Sequence, residues 1–321
     1  MLKKTILLGI LSATTVFFSS WGFFAHRLIN RKAVFTLPSG MIRFYKNNIT
    51  YISEHAVDPD KRRYTDSAEA TRHFIDADHY GQSPFDSIPE KWEAAAEKYG
   101  AAELNAHGTV PWQIQKTYYR LVKAFKERDS LRILRYSSAI GHYISDAHVP
   151  LHTTENYNGQ LTGQVGIHAF WESRLPELYS DKYDFFTGKA RYIQDPLKEA
   201  WHIVRHTFTL KDSVLLIEKR ISSKFPSDKR YTYAGKNNQI LKQYSPAYSK
   251  AYHIALKGMV EQQLRASLLE TGSFWYSAWI DAGQPDLDHM NTPAVLQEEP
   301  ESSIEPSQIT PTGKPLGRPD L

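Results

Sequence analysis

The chain has 321 residues, 41% of them hydrophobic, enough for one large core with appendages. It contains no cysteine, which rules out disulfides, thiolate metal sites and a lipoprotein whose lipid is carried on cysteine. A formal charge of +4 is too weak to argue for nucleic-acid binding, so the 13 histidines are the more informative excess.

Residues 1–20 place Lys3 and Lys4 ahead of an apolar run from Thr5 to Phe18 and end in Ser19 and Ser20. The run is shorter than the roughly 18–20 residues a bilayer needs, so it reads as a secretory signal peptide. Cleavage near Ser20 would export the chain to the periplasm or medium. Bulky Phe18 fits such a cleavage site poorly, which leaves an uncleaved anchor as the alternative.

From Trp21 to about residue 290 the sequence reads as one all-α, multi-helix domain with no period-two strands. Leu28, Ile29, Ala33, Val34 and Phe35 suggest a helix closed by Pro38, and Ser39 opens another carrying Met41, Ile42, Tyr45, Ile49 and Ile52. Val57 to Tyr80 reads as a long charged loop, a feature that is usually functional or disordered in a compact domain. Helices resume near Glu90 to Tyr99 and after Pro111, and Ser130 is placed to cap the next. That helix has an apolar stripe of Ile133, Tyr136, Ile140, Tyr143, Ile144 and Ala147. Pro176 should end or kink a later helix. Asp195-Pro196 starts one reaching about Ser222, and Ser245-Pro246 starts another running past Leu269. Gly272 is expected to separate it from a last aromatic helix with Trp275 and Trp279. The tail 291–321 has six prolines and five acids with almost no large apolar residues, and reads as disordered.

The chemistry concentrates between Gly141 and Glu172. His142 and Asp146 are four apart, as are His168 and Glu172, so each pair shares a helix face, and His152 lies between the pairs. For one pair alone a solvated polar face is the ordinary reading, but two pairs plus His152 point to a shared cavity. Nitrogen and carboxylate donors without cysteine suit zinc at sites that keep a position open for water. In the 57–80 loop Asp58, Asp60, His73, Asp76, Asp78 and His79 are all possible further donors, and the residues themselves do not choose among them. His148 points elsewhere on its helix and reads as a surface group or one beside the ligands. His202 and His206 read as structural, and His55, His107, His253 and His289 receive no role.

With these motifs the region from Trp21 to Gly283 resembles the superfamily of zinc-dependent phospholipases C and fungal single-strand-specific nucleases. The resemblance rests on Trp21-Gly22-Phe23-Phe24-Ala25-His26 after the signal-like segment, and on the order and gaps of the later donors. It implies a mostly helical fold with three zinc ions. One would be held by Asp58, His73, His142 and Asp146, and a second by His152, His168 and Glu172. The third would use the Trp21 amine and carbonyl with His26, sharing Asp146 as a bridge. The implied activity is phosphodiester hydrolysis by metal-activated water, which Asp58 would orient or deprotonate.

The resemblance divides on the substrate, single-stranded nucleic acid or phospholipid. The step from Trp21 to His26 and the step from Asp58 to His73 look like the nucleases. Glu172 and the missing disulfides look more like the phospholipases, and the loop between His152 and His168 lacks the nucleases' Gly-Gly-Asn. Phe74, Tyr80 and Tyr157 would stack a base, contact a lipid or simply pack. No stable protein partner is indicated, and a monomer is expected. Two other classes compete: a catalytically silent zinc-binding helical module with closed sites, and a di-iron bundle, which would want Glu-x-x-His spacing instead.

Overall fold

The computed structural model of the protein describes residues 23–236, 239–288 and 290. The segment 1–20, Trp21, His289 and the tail 291–321 lie outside the described residues. The all-α expectation holds, and no helix among the described residues is long and apolar enough to cross a membrane. The one sheet among them is a hairpin, in which Tyr231–Lys236 pairs antiparallel with Gln239–Tyr244. The Tyr-Thr-Tyr alternation and the Asn237-Asn238 dipeptide carried that signal, but over a stretch too short to stand out.

The central element is Ser130–Ala147, against which Phe23–Ala33, Val110–Lys126 and Met259–Asp281 all pack. From Ser137 to Ala147 every residue is buried, so the apolar stripe describes only one of its inward faces. A helix enclosed all round must satisfy its polar side chains internally. His142 and Asp146, which lie off the stripe, therefore face protein and not solvent. The cap is Asp129, whose carboxylate accepts from the Arg132 N–H at 3.0 Å, with Ser130 as the first helical residue.

Two glycines let neighbouring elements close in. At Gly141 a Cβ would collide with Asn30 Oδ1, and at Gly272 with Thr36 Oγ1. Asn30 Nδ2 donates to the Ser138 and Ile52 carbonyls at 3.1 and 3.2 Å. His26 lies one turn before Asn30 on the same helix face, so docking Asn30 at Gly141 also sets His26 against His142. Gly272, expected as a helix separator, sits inside the continuous Met259–Asp281 helix. The break falls instead at Lys257 and Gly258, with φ of 51° and 81°. The expected Pro196–Ser222 helix is likewise two, Pro196–Phe208 and Lys211–Ser222. Val57 to Tyr80 is compact, with a short Asp58–Arg62 helix and two tight turns, Ala70–Arg72 and Ala77–Tyr80.

Overpacking at such a contact costs about 1–3 kcal/mol. Gly272→Val should therefore melt several degrees below the parent in a thermal scan, and an unchanged midpoint would mean that Thr36 yields freely.

Candidate metal centre

Donors from separate segments meet around two buried carboxylates. His142 Nε2 lies 3.2 Å from Asp146 Oδ2, one turn along the central helix. His73 Nδ1 is 2.9 Å from the same oxygen and 3.0 Å from His142 Nε2. Asp60 Oδ1 joins this group at 3.7 Å from both ring nitrogens. The other Asp146 oxygen, Oδ1, is 3.5 Å from His26 Nε2, which is equally far from Glu172 Oε1. Glu172 Oε2 then faces His168 Nε2 at 2.7 Å and His152 Nε2 at 3.4 Å. Each carboxylate thus gives one oxygen to either of two donor sets.

The tautomers of His142 and His152 are fixed from outside. His142 Nδ1 donates to the Ala56 carbonyl at 2.8 Å and His152 Nδ1 to the His73 carbonyl at 2.7 Å. Each Nε2 therefore turns a lone pair inward. His73 is reversed: Nδ1 points inward while Nε2 faces Glu69 Oε1 at 3.7 Å. Glu69 is buried and accepts from the Tyr143 hydroxyl and from the Arg62 and Arg72 guanidinium groups. It is placed to hold the His73 ring as carboxylates hold metal-bound imidazoles elsewhere.

These residues fit zinc. Ligands at zinc's usual bond lengths and tetrahedral angles are about 3.3 Å apart, and His152 Nε2 and His168 Nε2 are separated by 3.1 Å. Inward lone pairs facing carboxylates repel one another unless a proton or a cation lies between them. Burial alone would raise the Asp146 carboxyl, yet His142, His152 and His73 hold it well below its usual range. His152, His168 and His26 do the same for Glu172 against the same burial penalty. In return, and against a burial that favours neutral rings, Glu172 and Asp146 push His26 up to about 9, and Asp146 and Glu69 push His73 up to about 9.

His168 and Glu172 do not sit on a regular helix. Phe170–Arg174 is a π-helical turn between Ile167–Ala169 and Leu175–Tyr179. Pro176 has no N–H to offer the Glu172 carbonyl, and the widened turn just before it accommodates that loss without ending the helix. Asn158 Oδ1 accepts from the Gly166 N–H at 2.9 Å and from the His168 N–H at 3.4 Å, fixing where this helix begins.

Of the residues expected from the sequence, His26, His73, His142, Asp146, His152, His168 and Glu172 are brought together, and Trp21 lies outside the described residues. Asp58 is not among them. Its carboxylate is 2.6 Å from His55 Nδ1 and 3.1 Å from Lys61 Nζ, directed away from the cluster. Residues two apart on a helix point about 200° from each other, so only one of Asp58 and Asp60 can face inward, and it is Asp60. His148, expected at the surface or beside the ligands, is buried; its Nδ1 donates to the Ile144 carbonyl at 2.8 Å, and burial lowers its pKa to about 4. Phe74 is core, whereas Tyr157 is half-buried with its ring 6.4 Å from that of His168. Sequence reasoning missed Glu69, although its position four residues before His73 was a legible signal.

Residues 25–235 match the sequence family described as zinc dependent phospholipase C, a span that includes every donor from His26 to Glu172. The chain belongs to that family. No curated protein matches it. Membership in the zinc-dependent phospholipase C family makes the protein a zinc-dependent hydrolase of the phosphodiesterase type, and the donor clusters fit that metal.

Two predictions follow from this geometry. Asp60→Asn should lower the zinc content of purified protein, whereas Asp58→Asn should leave it at the parental value; elemental analysis decides, and the reverse pattern would restore Asp58. In metal-free protein His26 and His73 keep protons up to about 9, against 6.5 for an ordinary histidine. Between those values the folded state binds more protons than the unfolded one, so stability is lost as pH rises through the window. Zinc takes deprotonated rings, so zinc-loaded protein should gain relative stability over the same range. Melting temperatures with chelator and with zinc check this, and parallel profiles would refute it.

Proposed function

We propose that this chain is an exported phospholipase C that hydrolyses the glycerol–phosphate ester of a phospholipid, releasing a diacylglycerol and the phosphorylated headgroup. The observation that carries the reading is the pair of buried carboxylates, Asp146 and Glu172, each dividing its oxygens between imidazoles of two donor sets at 2.7–3.5 Å. A phosphodiester needs positive charge on more than one oxygen during displacement, and linked sites answer that need. Asp60, His73, His142 and Asp146 would hold one zinc, and His152, His168 and Glu172 a second. His26 and Asp146 would hold a third together with the Trp21 amine and carbonyl. Zinc, when bound, supplies Lewis acidity toward phosphoryl oxygens and lowers the pKa of a water to about 7.

The chain's own groups do the rest. Asp60, with a side chain 17% exposed, is the most open of the described donors. It takes the role first given to Asp58, accepting the proton of the attacking water as the new phosphorus–oxygen bond forms and the glycerol oxygen leaves. Its exposure argues against closed, catalytically silent sites. The loop between His152 and His168 is anchored where Gln164 Nε2 donates to Glu218 and to the Leu215 carbonyl. It leaves Tyr157 beside His168, and together with Glu172 and the family match this favours a lipid over a nucleobase.

The Trp21 amine can coordinate only when free, because an amide lone pair is delocalised. Removal of residues 1–20 would therefore couple export to activation.

The test is a zinc-loaded chain beginning at Trp21, assayed on phosphatidylcholine, single-stranded DNA and RNA. Phospholipid should be cleaved at least about 10-fold faster, and Asp146→Asn should lose about 100-fold or more, as expected for a group serving two sites. Faster cleavage of nucleic acid would overturn the lipid assignment, and no cleavage with zinc bound would indicate the silent module. A version with one extra residue before Trp21 should bind less zinc; equal zinc and equal rates would remove Trp21 from the ligand set.

A further inference from the structure

Outside this centre, a second group of imidazoles and carboxylates joins three segments: the Ala77–Tyr80 turn, the end of the Ala101–Ala106 helix, and Glu155 just after His152. The His79 and His107 rings lie face to face, with centroids 3.3 Å apart and an interplanar angle of 13°. On one edge of the stack Glu103 Oε1 faces both Nε2 atoms, at 2.8 Å from His79 and 3.5 Å from His107. On the other edge Glu155 Oε1 faces both Nδ1 atoms, at 3.1 Å from His79 and 3.8 Å from His107. Asp76 Oδ2 stands 3.5 Å from His107 Nδ1, a buried atom with no hydrogen-bond partner.

The protonation arithmetic singles this arrangement out. A neutral imidazole has one N–H, and Glu103 can accept it from both rings. That leaves two Nδ1 lone pairs directed at Glu155 and Asp76, lone pair against carboxylate. Protonating His79 alone satisfies both of its nitrogens but still leaves one His107 nitrogen with its lone pair toward a carboxylate, and protonating both rings would stack two cations in contact. A divalent cation on the Nδ1 edge resolves both conflicts, with Glu103 on the opposite edge in the place that carboxylates take behind metal-bound histidines. The carboxylates Glu103 and Glu155 already raise the His79 pKa against a small burial penalty, which shows the local demand for positive charge.

We infer that His79, His107 and Glu155 form a peripheral binding site for a divalent transition-metal ion, separate from the zinc centre. Two imidazoles and a carboxylate suit zinc and its neighbours, not calcium or magnesium. The rings must splay for both lone pairs to reach one ion; His79 sits in a single turn and His107 caps a six-residue helix, so neither is held by a long element. The ion acts as a clamp. Asp78 accepts from the Thr154 hydroxyl and from the Glu155 N–H, so metal at Glu155 would fasten the start of the loop that leads from His152 to His168.

The experiment is equilibrium dialysis of the full protein against zinc alone, followed by elemental analysis. The double variant His79→Ala/His107→Ala should bind one equivalent less than the parent. His152→Ala/His168→Ala should lose zinc from the central site and keep the peripheral equivalent, so failure at one site is distinguishable from failure at the other. Circular dichroism establishes that each variant folds, and Glu155→Gln serves if the double variant does not. Zinc should also slow proteolysis within residues 153–166 in His152→Ala/His168→Ala, but not when His79 and His107 are replaced as well. Equal stoichiometry in the parent and the His79/His107 variant, or peripheral binding only at millimolar zinc, would overturn the proposal.

Discussion

A carboxylate removed from water must be met by positive charge or by donors, and Asp146 is 1% exposed. The protein meets that demand with imidazoles from segments far apart in the chain, His26 from the first described helix, His73 from a turn and His142 from one turn earlier on its own helix. Because Asp146 offers an oxygen to either side, the sites it joins are not independent. Shifting the N-terminal helix moves His26, leaves Oδ1 without its neighbour, and changes the charge felt by His142 and His73. The docking of Asn30 at Gly141 is therefore as much a part of the centre as its ligands.

The surroundings reinforce the same constraint. The outward ring nitrogens of His142 and His152 are tied to backbone carbonyls, and that of His73 faces Glu69. Glu69 is itself buried; despite the cost of burial, His73, Arg62 and Tyr143 hold its carboxyl well below the usual range. The inward nitrogens and carboxylate oxygens thus approach one another at 2.7–3.7 Å, whereas on the outer side His142 and His152 are tied to backbone carbonyls and His26 Nδ1 has no hydrogen-bond partner among the described residues. The convergence of five imidazoles and three carboxylates on one interior is what marks a binding centre.

The π-helical turn around Glu172 belongs to the same economy of geometry. A proline four residues after Glu172 forfeits one helical hydrogen bond, and the widened turn occurs where the acid must reach both His168 and His26. Irregular helix of this kind is common at functional sites.

The sequence by itself determined the all-α class and most of the donor set, because helical spacing is a one-dimensional property: His142 with Asp146 and His168 with Glu172 are readable from a four-residue gap. It also placed Asp195 and Ser245 at helix starts, where their side chains do accept the first free N–H groups. Tertiary structure decided what depends on partners. Asp58 and Asp60 are chemically equivalent on paper; His55 and Lys61 draw one outward while the central helix admits the other. Gly272 reads as a breaker and serves as a contact, because the reason for its size is Thr36, 236 positions away in a chain of 321. His79 and His107 showed no common motif, since their pairing exists only across two turns brought together by folding. Local periodicity is encoded in neighbours along the chain, whereas the choice between equivalent donors, and the sites that join distant segments, are settled by packing.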